Sequence, residues 1–140
     1  MSTTYDDTTR TGRGHVPVDG LQGCLRTVTG SLAAVVDVPI WTLTDEQVRD
    51  RLAEALRVRA GVDELVSRLV GSVVERDLAT LAGASSARSW LMGAHRMSAG
   101  AAARLLDQAK AADTPRTAPT RRAWAAGRLT GEQAVAIGVL

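Results

Sequence analysis

A chain of 140 residues, 45% hydrophobic but only 3% aromatic and without Phe, suits one domain whose core must be built from Ala, Val and Leu. Its single cysteine, Cys24, excludes an internal disulfide and a thiolate zinc site. The net charge of +2 is unevenly spread: residues 1–80 hold nine Arg against twelve acids, whereas residues 81–140 hold seven Arg and Lys110 against Asp107, Asp113 and Glu132. The second half therefore has the field that an anionic partner would feel.

Residues 1–20, rich in Thr, Asp, Gly and Arg, read as a disordered leader with no apolar period and no signal pattern. A first helix is expected from about Leu21 to Val38, with Leu25, Val28, Leu32, Val35 and Val36 at helical spacing and Pro39 ending it. The apolar run Leu32–Ile40 is too short for a bilayer and is interrupted by Asp37 and Pro39, so no membrane partner is expected; the lone cysteine makes a reducing cytoplasm the natural setting.

One junction recurs beyond this point. Leu43-Thr44 leads to Val48, Met97-Ser98 to Ala102, and Leu129-Thr130 to Ala134. In each, a hydroxyl is placed to cap free N–H groups while the flanking apolar residues clip together; Gln47 and Gln133 complete two capping boxes. The longest helix is predicted to start at Thr44. Val48, Leu52, Ala55, Leu56, Val62, Leu65, Val66, Leu69, Val73 and Val74 make its apolar seam, which shorter helices must shelter along residues 44–82. Asp45 with Arg49, and Glu64 with Arg68, are i,i+4 pairs on it. Gly61 and Gly71 weaken the helix unless they admit a neighbour closely, and Gly83 suits a C-terminal cap.

Shorter helices follow. One starts at Ser85 or Ser86 with Ala87, Trp90, Leu91 and Ala94 on a face; the next starts at Ser98 with Ala102, Leu105, Leu106 and Ala109. Residues 113–119 form a loop, with Pro119 suited to the first position of a helix that holds Trp124 and stops near Gly127. A last helix starts at Thr130 and runs to Leu140, as though truncated. No alternating pattern supports a strand. The expected fold is all-α: one long amphipathic helix packed against several shorter helices.

The segment Trp90–Leu106 has the outline of a helix-turn-helix. The outward positions of its second helix would be Ala99, Gly100, Ala103 and Arg104, which offer almost nothing to base edges, so an ordinary helical hairpin is the stronger reading. Arg88, Arg96, Arg104, Arg121, Arg122 and Arg128 are the candidate phosphate-binding set, weighed against a plain solvated surface. Trp90 and Trp124 lie among Ala and Leu and read as core rather than base-stacking platforms. His15 and His95 lack the spaced partners of a metal site, and Ser85-Ser86 lacks a base, so neither catalysis nor a cofactor is expected.

From Leu43 onward the chain resembles the helical domain of unknown function that precedes HNH endonuclease domains in the 13E12 repeat family. The likeness lies in Leu43-Thr44-Asp45-Glu46, Val62-Asp63-Glu64-Leu65, Arg68-Leu69-Val70, Arg76-Asp77-Leu78-Ala79, Ser89-Trp90-Leu91, Met97-Ser98 and Ala101-Ala102-Ala103-Arg104-Leu105. The most specific block is Ala125-Ala126-Gly127-Arg128-Leu129-Thr130-Gly131-Glu132-Gln133-Ala134, with Ile137. Relatives usually carry glycine where Arg96 stands, and the His-Asn-His constellation of the nuclease is absent from this sequence. The resemblance implies a non-catalytic, C-terminally truncated helical domain over residues 21–140. Its expected role is an accessory module that meets the DNA phosphate backbone or positions a nuclease encoded elsewhere. The alternatives are a self-association module with a homodimer partner, or a remnant of a truncated nuclease gene.

Overall fold

A computed structural model of the chain describes residues 20–112 and 118–138. The leader, except Gly20, lies outside the described residues, as do positions 113–117 of the predicted loop and the last two residues. Among the described residues every regular element is helical, which establishes the all-α class. None of these helices is long and apolar enough to cross a membrane. The chain divides into two units at Leu43/Thr44.

The first unit holds α1, Gly20–Ala34, and a 3-10 turn, Ile40–Thr42. Helix α1 stops four residues before the expected Val38. Its end tightens through Val35 N–H to Leu32 O at 3.3 Å and Val36 N–H to Ala33 O at 3.4 Å. Two physical causes act here: β-branched Val35 and Val36 propagate a helix poorly, and Pro39 pushes Val38 out of the α region. Every residue of α1 except Gly20 and Val28 is exposed.

The second unit opens on α2, Asp45–Glu75. Its start is the predicted capping box: Gln47 N–H donates to Thr44 Oγ1 at 3.2 Å, and Thr44 N–H donates to Gln47 Oε1 at 3.0 Å. Asp45 and Glu46 in the first turn complement the helix dipole. The helix ends at Glu75 with Arg76 as its C-cap, and Asp77 after it takes the left-handed conformation (φ 53°, ψ 36°), so the predicted seam to residue 82 is broken there. Helix α3, Leu78–Leu81, is closed by Gly83 (φ 85°), with Gly83 N–H to Thr80 O and Ala84 N–H to Ala79 O forming a Schellman cap.

Helix α4, Ala87–Ala94, is capped by Ser86, whose hydroxyl accepts from Ser89 N–H at 3.0 Å. The corner after it places Arg96 at φ 53°. Helix α5, Ala99–Ala112, starts as Ser98 Oγ accepts from Ala101 N–H at 3.1 Å. Helix α6, Ala118–Ala125, has Pro119 as its second residue rather than its first; the N–H it lacks is still one without an intrahelical partner. Gly127 (φ 74°) closes α6 with a second Schellman cap, Gly127 N–H to Trp124 O and Arg128 N–H to Ala123 O. Helix α7, Gly131–Gly138, begins with the Thr130–Gln133 capping box.

Helix α5 packs against α2, α4 and α7, and α6 packs against α2 and α7. One core cluster holds Val70, Leu91, Ala102 and Ala109, with Met97 and Leu106 packed on it; the other holds Ala60, Trp124 and Ala134, with Leu129. Two of the three predicted staples, Met97 with Ala102 and Leu129 with Ala134, thus form part of the core.

The apolar seam of α2 is not sheltered as expected. Val48, Leu52, Leu56, Val62, Leu69 and Val74 are exposed, while Ala60, Glu64, Ser67 and Val70 are buried. Val62 stands about 200° around the helix from Ala60, on the opposite side. The reason is steric. A Cβ at Gly61 would lie 2.9 Å from Ala125 O, and one at Gly127 would lie 2.7 Å from Arg57 Cα. Helix α6 comes so close that neither Gly61 nor Gly127 has room for a side chain.

Arg96 carries a testable cost. A non-glycine residue in the left-handed region is disfavoured by about 1–2 kcal/mol, and glycine's extra unfolded freedom recovers part of that difference. Arg96→Gly should therefore stabilise the chain by roughly 0.5–1 kcal/mol, read as a higher Tm in thermal melts. A lower Tm would mean that the Arg96 side chain makes a stabilising contact.

Candidate functional site

The six predicted arginines do not line one cleft. Arg121 and Arg122, consecutive on α6, meet Arg68 of α2 in an open cleft of about 250 Å³ that is also lined by Glu64, Ala118 and Ala125. Three arginines and one carboxylate thus line the same cleft. Glu64 is 4% exposed, and its Oε1 accepts from Arg68 Nε at 2.8 Å, while the Arg68 side chain remains half exposed. That geometry fixes one face of the Arg68 fork and leaves its remaining N–H groups available for an anion.

Arg121 is half-buried and also borders a smaller neighbouring cleft with Ser67, Gly71, Ser72 and Glu75. Its Nε is buried and finds no hydrogen-bond partner among the described residues. Gly71 meets nothing within 4 Å of a built Cβ, so it admits no close neighbour, unlike Gly61.

Arg104 of α5 belongs elsewhere. It joins Arg59 in a cleft of about 410 Å³ between α2, α5 and the start of α7, lined also by Asp63, Gln108 and Glu132. Two cations face two acids there, so this cleft lacks the positive excess of the first. Arg88 on α4, Arg96 at the corner and Arg128 after α6 are exposed and line neither cleft. Among the described residues the ion pairs are Arg51–Glu54 and Arg68–Glu64, and none of the six predicted arginines takes part in one.

The helix-turn-helix outline forms as an α4–corner–α5 hairpin, but α5 lies against three other helices. Ala99 and Ala103, expected to face outward, are half-buried; Gly100, Arg104, Asp107 and Lys110 are exposed. An acid in the middle of that strip opposes a groove contact. Trp124 is core at 1% exposed, and Trp90 is half-buried, packed on the Val70–Leu91 cluster and edge-on to the His95 ring at 4.9 Å, whereas Trp41 is 86% exposed. Among the described residues no group of three or more His, Cys, Asp or Glu is placed to hold a metal ion.

Sequence reasoning missed Arg68, Arg59 and Glu64 as site residues. The Glu64–Arg68 spacing was visible, but as a helix-stabilising pair. Its position opposite Arg121 and Arg122 follows from the α2–α6 approach, which the glycines at 61 and 127 signal only in retrospect. No family model matches the chain, and no curated protein or solved structure is significantly similar to it.

Proposed function

We propose that this chain is a non-catalytic, nucleic-acid-associated helical module that grips the phosphate backbone at the Arg68–Arg121–Arg122 cleft. The observation that carries the reading is the positive excess of that cleft, which Arg68, Arg121 and Arg122 line against Glu64 alone. Planar guanidinium forks suit phosphate oxygens, and backbone contacts position a protein without reading sequence. The resemblance to the HNH-associated helical domain supports the same assignment. On that reading the chain acts beside a nuclease encoded elsewhere and does no hydrolysis itself.

The test is fluorescence anisotropy with a labelled duplex. If three phosphates are neutralised, affinity should fall about 40-fold between roughly 50 and 200 mM salt. Arg122→Glu reverses an exposed charge without touching the core and should weaken binding about tenfold or more. Arg121→Glu combined with Arg122→Glu should abolish it. Binding that survives the double change in a folded protein, or that ignores salt, overturns the reading.

A further inference from the structure

The first half of α2 carries a second, independent feature. Val48, Leu52 and Leu56 are 40%, 58% and 51% exposed, although they follow one another at four-residue spacing. Asp45 lies three residues before this strip and Arg59 three residues after it, and both are exposed. At 100° per residue all five fall within about 80° of arc, on one face of about four turns. The strip is symmetric about Leu52: an acid at one end, a base at the other, and apolar residues between.

We infer that this face pairs with the same face of a second copy of the chain, antiparallel, with Leu52 at the dyad. Turning one copy end over end about Leu52 sets Leu52 against Leu52 and Val48 against Leu56 of the partner subunit. The same operation sets Asp45 against Arg59 of the partner subunit, twice per dimer. The pairing uses sequence positions whose numbers sum to a constant, so one register satisfies the apolar and the charged contacts together. Charge complementarity of this kind specifies orientation: a parallel pair would oppose Asp45 to Asp45 and Arg59 to Arg59.

The surroundings of Arg59 are close to neutral. Arg59 and Leu56 line the cleft that also holds Arg104. Asp63 and Glu132 already balance these two guanidiniums within the cleft, so the charge match of the antiparallel register rests on Asp45 against Arg59 of the partner subunit. Small Ala55 stands opposite Arg49 of the partner subunit and leaves room for its stem. The strip is shorter than a standard interface of about 800 Å² per partner requires, so the dimer is concentration dependent rather than permanent.

Sedimentation equilibrium of the full chain, from low to high micromolar concentration, tests this. A monomer–dimer equilibrium is expected. Leu52→Asp should shift the dissociation constant upward at least about a hundredfold, because it buries two carboxylates at the dyad, while far-UV circular dichroism stays unchanged because Leu52 is exposed in the monomer. Asp45→Arg and Arg59→Asp should each weaken the dimer about tenfold, and the double exchange Asp45→Arg/Arg59→Asp should restore it. Should Leu52→Asp fail to fold, the charge exchange still decides the matter. A monomer at every concentration, including one in which residues 20–43 of the same chain cover the strip, overturns the proposal. So does a dimer indifferent to the charge exchange.

Discussion

Trp124→Ala is expected to cost about 3–5 kcal/mol, a large share of the roughly 5–15 kcal/mol that holds a domain of ordinary stability together. The indole is 1% exposed and forms a core cluster with Ala60 and Ala134, with Leu129 packed against it. Its neighbours are small. Gly131 lies so near that a Cβ there would sit 3.3 Å from Cζ2 of the ring. Alanines and glycines cannot swing inward to fill a void, so the cavity left by truncation stays open and the loss falls toward the upper end of the range. Trp124→Phe provides the contrast. The indole N–H is buried and finds no partner among the described residues, a condition that costs about 1–3 kcal/mol wherever it occurs. Removing that donor offsets the lost volume, so Trp124→Phe should change stability by less than about 1.5 kcal/mol. Urea titration followed by circular dichroism separates the two outcomes. A loss below about 1 kcal/mol for Trp124→Ala would show that the ring is not the keystone of the α2–α6–α7 cluster.

The second large effect is expected at Gly127. Gly83 and Gly127 adopt nearly the same backbone, φ 85° and φ 74°, and both close Schellman caps. Their surroundings differ. A Cβ at Gly83 meets nothing within 4 Å, whereas one at Gly127 lies 2.7 Å from both Cα and Cβ of Arg57. Gly83→Ala therefore carries the conformational cost alone, about 1 kcal/mol. Gly127→Ala adds a collision with the main chain of α2, which cannot rotate aside, and should cost about 2–4 kcal/mol. The difference between the two variants, measured under identical denaturation conditions, isolates the close approach of α6 to α2. Equal losses would contradict that approach.

Much of the architecture was legible because it is written in local chemistry. Thr44, Ser86, Ser98 and Thr130 each cap a helix, as hydroxyl oxygens reach N–H groups three residues on. Gly83 and Gly127 mark helix ends because their conformations are open to glycine. Trp124, set among Ala and Leu, is core. The misreading concerned which side of α2 faces inward. Periodicity shows where apolar residues gather, but not how near a neighbouring helix comes. The close contact at Gly61 sets which face turns inward, so Ala60, Glu64, Ser67 and Val70 lie inside while Val62 and Leu69 lie outside. The candidate cleft was half legible. Arg121 and Arg122 stood out in a basic segment, whereas Arg68 was hidden in the acid-rich half and joined them only through tertiary packing.

The tight seat between α2 and α6 also decides where this chain tolerates sequence drift. At positions 61 and 127 any side chain meets main-chain atoms, so a saturation scan should find almost every replacement depleted there. Gly131 is more forgiving, because the nearest atom to a built Cβ is the mobile amide end of Gln108. Conspicuous residues such as Val62 and Leu69 should accept polar exchanges in the lone chain. The positions least free to vary are thus ones that present nothing but hydrogen.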